Sequence, residues 1–304
     1  MKMKLDILLS IANDGIYRIR DLLLKPLNNI RYIISHQIFN GKKYNIKFNR
    51  DDVIYKPSNT KGLSINRNIT LSMASADICL LADADVSYEK EYFFRIIDAF
   101  KKNPEADIIT FQIKTDIIES MVKSYPNFSH WHNIRTVFQV TSIEIAFKLD
   151  IIKLNKIKFD ENFGKGSVFN FAEENIFLID SLRKELRIKF IPTNIVVYNN
   201  IVPLKSLTDN NIITIGAILY RMFNIFSIIW YFYSAIYNYG KYKEDKSILK
   251  YLTLTFRGGL LASKLNHHGG SLLANLKLFL RQLKGLDYNF INFNRDNLSR
   301  KTFF

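Results

Sequence analysis

Cysteine is almost absent from the chain: Cys79 is the single one in 304 residues, so no internal disulfide framework can staple it. Cys79 sits inside an apolar run and reads as a small buried hydrophobe, a usage that fits a reducing compartment. There is no C-x-x-C or C₂H₂ spacing and no arginine-rich arm, so nothing marks a nucleic-acid module. Neither an internal repeat nor a low-complexity linker divides the sequence. The start, M-K-M-K-L-D-I-L-L-S-I-A, lacks a secretory core of convincing length because Asp6 breaks it, and it reads as a first strand. Acidic residues are few beside basic ones, 28 against 43, which leaves a formal charge of +15. That balance points to an anionic partner: nucleic acid, an anionic membrane face or a nucleoside diphosphate. Hydrophobic residues reach 48%, enough for one large domain or one domain plus an appendage.

What is present centres on residues 75–87, S-A-D-I-C-L-L-A-D-A-D-V-S. A short apolar run, residues 78–82, reads as a buried strand and ends in Asp83 and Asp85. In open α/β sheets, ligands bind beyond the carboxyl ends of such strands. Two carboxylates one residue apart repel unless a cation pairs with them. An oxygen-only donor pair suits Mn²⁺ or Mg²⁺, and such an ion commonly bridges to substrate phosphates. Asp-x-Asp alone also occurs as ordinary turn chemistry, so its neighbours decide.

In chain order, residues 5–12 read as a strand, 16–24 as a helix stopped by Pro26, 30–35 as a strand and 52–55 as another ending at Pro57. This alternation predicts a mostly parallel sheet. Lys61 and Gly62 form a loop before a helix over residues 63–73, with Asn66, Arg67 and Asn68 near its start, a natural anion site. Residues 88–102 make an amphipathic helix ended by Pro104, and 107–111 and 137–142 read as strands. Between the last two lies His130-Trp131-His132, whose histidines are candidate ligands or substrate contacts. Residues 159–180 place Gly164 and Gly166 in a loop able to approach a ligand, followed by Glu173-Glu174 opening a helix over 174–186. Paired carboxylates there complement a helix dipole or supply a general base. Two short strands follow, 187–191 and 195–198. Residues 212–239 are long and apolar enough to span a bilayer, with Arg221 the only charge; an interfacial helix or helical pair ranks first, a buried core helix second and a true span third. The tail adds Arg257-Gly258-Gly259 and His267-His268-Gly269-Gly270.

Together these stretches resemble the family 2 glycosyltransferases with a GT-A fold, of the bacterial polysaccharide and lipopolysaccharide type. The carrying motifs are L-L-S-I-A-N, K-G-L-S-I-N-R-N, L-L-A-D-A-D-V, and F-D-E-N-F-G-K-G followed by A-E-E-N, in the family's order over about the first 200 residues. The resemblance implies a GT-A (Rossmann-like) α/β catalytic domain over residues 1–205 and a helical, basic and aromatic C-terminal region over 206–304. It implies that Asp83 and Asp85 hold Mn²⁺ or Mg²⁺ on a nucleoside-diphosphate sugar, a UDP-sugar first. Ala12 and Asn13 match the segment that contacts the nucleoside, and Lys61, Arg67 and Asn68 the stretch against the nucleotide. Glu173-Glu174 falls where the family has Glu-Asp, whose second member is the catalytic base; which glutamate acts here is open. Gly164, Gly166 and the His130-Trp131-His132 segment are expected acceptor walls. An acidic Asp-Asp-x-Ser after the second or third strand is absent; Ser35-His36-Gln37 stands there instead.

The function so implied is metal-dependent, inverting transfer to a hydroxyl of a growing, lipid-linked glycan, in the cytoplasm at the inner face of a bacterial membrane, with peripheral membrane contact and no nucleic acid. Three alternatives compete. A phosphohydrolase would use Asp83 as nucleophile, but normally from the first strand. A sugar nucleotidyltransferase needs a glycine-rich loop after its first strand, where I-A-N-D-G-I has one glycine. A non-catalytic basic membrane- or nucleic-acid-binding protein would need neither aspartate.

Overall fold

A computed structural model describes residues 3–115, 123–198 and 207–265, to which all structural statements refer. The tail segment around His267 and His268 lies outside them. The described chain forms two compact units, one from residues 3–167 and 173–198, the other from 168–172 and 207–265.

The first unit opens with strand β1 (Leu5–Ala12), a 3-10 turn over Asn13–Arg18 and a single helical turn, α1 (Ile19–Leu22). A full helix over 16–24 does not form: Asn13 takes a left-handed φ of 48°, and the 3-10 turn uses up the residues before α1. Then come β2 (Ile30–Gln37), β3 (Val53–Ser58), helix α2 (Leu63–Met73), β4 (Ile78–Ala82), α3 (Lys90–Lys102) and β5 (Ile108–Lys114). After residues 116–122, β6 (His130–Trp131), β7 (Ile145–Lys148), α4 (Leu149–Leu154), α5 (Glu173–Arg183) and β8 (Ile188–Val197) complete the unit. The strands join in one eight-stranded sheet of order β3-β2-β1-β4-β7-β5-β8-β6. Strands β1–β5 and β8 share one direction, while β7 runs against β4 and β5, and β6 against β8. This is the mixed, mostly parallel α/β architecture of the GT-A type.

Strand β4 is the hub. Every side chain in I-C-L-L-A is at most 2% exposed, because β1 and β7 flank it and helices cover the sheet. Each large apolar side chain removed from water there contributes about 1.5–3 kcal/mol. Asp6 is the charged exception in β1, and it is fully matched: Arg31 grips both oxygens at 2.9 Å, and the Ser75 and Ala76 amides donate at 2.8 and 3.0 Å.

Two strand expectations are corrected. Residues 137–142 are not a strand but two 3-10 turns, Thr136–Gln139 and Ser142–Glu144. Thr141 and Glu144 form a reciprocal capping box that turns the chain, and the strand begins only at Ile145. The segments 187–191 and 195–198 are one strand, β8, and a register shift lets it run past Pro192, which has no amide to donate. Strand β3 likewise continues through Pro57, because it lies at the sheet edge.

The second unit contains α6 (Asp209–Phe223), α7 (Ser227–Tyr237), α8 (Tyr239–Tyr242) and α9 (Ile248–Lys264) around a core that includes Leu207, Ile212, Tyr242 and Tyr251. The apolar stretch over 212–239 is therefore two helices, parted at Asn224, whose φ of 50° ends α6. By length and composition the run Asp209–Tyr237 passes as a membrane span, and half of its apolar window is buried in the protein. Helices α6 and α9 cross closely: a Cβ on Gly216 would lie 2.0 Å from the Thr255 carbonyl oxygen, and one on Gly258 would lie 1.9 Å from that of Ile213.

Candidate active site

The parallel strands bring their carboxyl ends together, and Asp83 leaves the tip of β4 there. Its Oδ1 accepts from Arg67 Nη2 at 3.3 Å and its Oδ2 from the Ser142 hydroxyl at 3.2 Å. Arg67 lies on the buried face of α2, with a side chain only 4% exposed, and its Nη1 donates to Glu173 Oε1 at 2.7 Å. One guanidinium thus ties the end of β4 to the start of α5. Burial alone would lower the arginine's pKa, but the carboxylates of Glu173, Asp83 and Glu174 more than reverse that.

Glu174, next along α5, is half-buried, and its Oε2 is shut off from solvent without a hydrogen-bond partner. Burial, then the neighbouring Glu173, push its carboxyl up to about 8, against the pull of Arg67. Asp85 is exposed as a residue, yet partial burial of its carboxyl and the facing Asp83 raise it above the usual carboxylate range, while Arg18 and Lys165 pull the other way. Burial of its own hydroxyl, then the charges of Asp85 and Asp83, raise Tyr198 as well.

The glycine loop closes this group. Gly164 has φ 101°, and a Cβ there would stand 3.1 Å from Glu173 Oε2 and 3.2 Å from Ser64 Oγ. A side chain at 164 would therefore press on the Arg67–Glu173 pair. The loop is pinned to the start of α2, where Ser64 Oγ donates to the Phe163 carbonyl at 2.6 Å and the Leu63 amide to that of Lys165 at 3.0 Å. Gly166, φ 86°, packs over Gly62, and a Cβ on it would stand 3.6 Å from the Gly62 Cα.

Ala12 and Asn13 lie at the carboxyl end of β1, as expected of a ligand-facing tip. Beside them stands His36, which Ser35-His36-Gln37 brings in because β2 runs two residues further than 30–35. A carbonyl can only accept, so His36 Nε2 donates to Asn13 O at 2.9 Å, and Nδ1 accepts from the Tyr55 hydroxyl at 2.8 Å. Burial lowers the His36 pKa, against the opposite pull of the Asn13 carbonyl. Gln37 reaches Thr60 at 2.8 Å and the Gly62 carbonyl at 3.0 Å, securing the loop that carries Lys61. Lys61 itself is exposed, its ammonium 5.7 Å from the Phe39 ring centre.

Two groups of expected residues have other work. The Asn68 amide exchanges hydrogen bonds with the Phe159 backbone, 2.9 Å each way, and with Glu161, which makes it a clasp for the chain entering the glycine loop. His130, Trp131 and His132 do not join the aspartates. Strand β6 is the far edge of the sheet, four strand positions from β4 and so roughly 19 Å across it. The register sets Trp131 opposite Lys189, in line with Leu80 rather than with the strand tip. His132 is held between Thr110 at 2.7 Å and Thr136 at 2.9 Å, and burial drops its pKa to about 3. Trp131 instead carries Arg187 and Lys189 over its ring at 4.4 and 4.9 Å.

Sequence reasoning also passed over Ser142, Glu144, Arg18 and Lys165. Glu144 is 1% exposed, bound by Lys123 Nζ at 2.7 and 2.8 Å, by the Tyr125 hydroxyl and by the Thr141 amide at 2.8 Å; this fixes the turn that aims Ser142 at Asp83. Asn175 holds the same turn from α5, donating to the carbonyls of Val137 and Val140 at 2.9 and 3.1 Å. Lys165 had a visible signal, a cation between two glycines, whereas Ser142 had none.

Among the described residues, no group of three or more His, Cys, Asp or Glu gathers that could bind a metal alone. Asp83 and Asp85 still fit a hard divalent cation, since their mutual repulsion is relieved by one and Mg²⁺ commonly completes its shell with water and phosphate oxygens.

Residues 42–151 match the model of a family described as Glycosyl transferase family 2. No curated protein matches the chain. Among solved structures, S. aureus TarS is similar with a TM-score of 0.54 and 14% identity, over 80% of this chain and 45% of that one. S. aureus TarS 1-349 gives 0.51 at 14% identity, over 88% of this chain and 74% of that one. The same protein in complex with UDP gives 0.50 at 16%, over 72% and 66%. The chain spans less than half the length of full TarS, and at these identities the likeness is one of fold.

Proposed function

We propose, from the family 2 match over residues 42–151 and the GT-A fold, that this chain is a family 2 glycosyltransferase and moves a sugar from a UDP-sugar to a hydroxyl of a growing glycan. One observation carries the reading: Asp83, of the carboxylate pair at the tip of the central strand, shares the Arg67 guanidinium with Glu173, of a second carboxylate pair. Asp83 and Asp85 would hold Mn²⁺ or Mg²⁺. When bound, the cation neutralises charge building on the departing diphosphate. Arg18 and Lys165, whose charge already reaches Asp85, add positive field on the same side. The β1 tip, with Ala12, Asn13 and His36, and the loop carrying Lys61 receive the nucleoside. UDP rather than another nucleotide is suggested by the UDP complex of a protein with this fold.

Glu174 acts as general base. It takes the proton of the acceptor hydroxyl while that oxygen bonds to the anomeric carbon, and the bond to the diphosphate breaks on the opposite face. A single displacement inverts the configuration. The ionised form of Glu174 is the one that acts: the unpartnered, desolvated oxygen and raised pKa make that carboxylate a stronger base, whose population grows as pH rises toward 8, whereas Glu173 is engaged with Arg67. The test is thermal melting with UDP, GDP, CDP and ADP, with and without Mn²⁺, on wild type and Asp85→Ala. A Mn²⁺-dependent rise with UDP, lost in the variant, is expected. No rise with any nucleotide refutes the transferase reading.

A further inference from the structure

Helix α7 has no charged residue, and one side of it is bare. Ile229, Phe232 and Ile236 are spaced as one helical face and are 58, 51 and 75% exposed, and Ile225, in the 3-10 turn just before α7, is 64% exposed. Side chains of this size leave on the order of several hundred Å² of contiguous apolar surface, as much as the largest patch on an ordinary monomer. Helix α9 of the same unit adds Leu249 and Leu260, exposed by 75 and 63%. Among its charged residues α9 has Lys250, Arg257 and Lys264 and no acid.

We propose that the exposed faces of α7 and α9 form a docking surface for an anionic lipid bilayer, on which the second unit lies without crossing it. The charge pattern selects this occupant. An apolar stripe whose own helices carry cations and no acid, with the exposed Arg257 and Lys264 beside the Lys250–Asp209 pair, suits acyl chains below anionic headgroups, and the exposed ring of Tyr233 suits the headgroup level. The geometry opposes a span. The turn at Asn224 separates α6 from α7, and the 11 residues of α7 cover roughly 16 Å, about half of a bilayer core. Arg221 and the glycine crossing commit the other helix, α6, to the interior of the unit.

The full chain is sedimented with vesicles of phosphatidylcholine, alone or mixed with phosphatidylglycerol, and tryptophan emission is recorded in parallel with Trp131→Phe, which leaves Trp230 as the only reporter. Wild type is expected to bind the mixed vesicles at least about tenfold more tightly, with loss of that preference at high salt. Its tryptophan emission moves to shorter wavelength on binding. A double variant, Ile229→Glu with Ile236→Glu, weakens binding at least about tenfold while keeping the wild-type melting response to UDP and Mn²⁺. The proposal is overturned if wild type ignores the mixed vesicles, as it would were residues 266–304 covering this face. It is also overturned if the double variant binds as wild type does, or if it only converts a wild-type dimer to monomer. Unchanged Trp230 emission of Trp131→Phe on the mixed vesicles overturns it without any change on the face itself.

Discussion

Arg67→Met is the sharpest test of the buried charge cluster. Methionine keeps much of the side-chain length and removes the guanidinium. Glu173, whose side chain is 6% exposed, then loses its 2.7 Å partner. Removing one member of a buried ion pair costs about 3–5 kcal/mol, because the other charge is left without compensation. Asp83 is 36% exposed, so its 3.3 Å contact adds at most about 1 kcal/mol. The sum is about 4 kcal/mol. At about 2–4 °C per kcal/mol for a chain of this size, the melting temperature falls by on the order of 10 °C. Glu173→Leu on top of Arg67→Met removes the stranded carboxylate and restores at least half of the loss. Scanning fluorimetry of the two variants beside wild type decides the matter. If Arg67→Met melts within about 2 °C of wild type, or the double variant is no more stable than the single one, the cluster does not hold the fold as described.

Two further outcomes concern the same region. Gly164→Ala combines φ 101° with a Cβ 3.1 Å from Glu173 Oε2, so it should destabilise by about 2–3 kcal/mol in urea melts; Gly41→Ala, at φ 74° with nothing within 4 Å, should cost about 1 kcal/mol. Glu174→Gln should lower turnover by about 10²–10⁴-fold while leaving the nucleotide melting shift in place. Its folded carboxyl titrates near 8 against an ordinary 4.5, so between these values the native state holds a proton that the unfolded chain has lost. Stability from this group is therefore full below the lower value and falls as pH rises through the upper one, and Glu174→Gln should flatten that decline.

Where one residue type meets one environment, the sequence was a faithful guide. I-C-L-L-A is a strand because both of its faces are covered, and its boundaries could be read from the apolar run itself. The helix after Pro57 and the carboxylates at the two ends of the Arg67 bridge were likewise readable as types, but the bridge was not, since it joins positions 106 residues apart. The failures have local causes. Val137 and Thr141 favour strands, yet the Thr141–Glu144 box and the clamp from Asn175 turn that segment. His130-Trp131-His132 looked like a ligand wall because its chemistry suits sugars; sheet order alone moved it to the opposite edge. Asn68 shared a motif with Arg67 but faces the Phe159 backbone, one helical residue away in direction.

Strand β7 points the opposite way to its neighbours, and this has a practical side. For β1 and β4 the site is furnished by the residues after the strand; for β7 it is furnished by the residues before it, with Ser142 on its turn. The chain after β7 passes directly into α4 at the other end of the sheet, beside a groove of about 540 Å³ lined by residues such as Asp77, Asp150 and Lys153. A tag or reporter grafted at the exposed Lys156, in the turn after α4, would therefore leave the chemistry alone. One added residue between Thr141 and Ile145 would shift the strand by a step, turn Ala146 from one face of the sheet to the other and carry the serine off its aspartate. Changes meant for the site belong before this strand, and attachment after the helix that follows it.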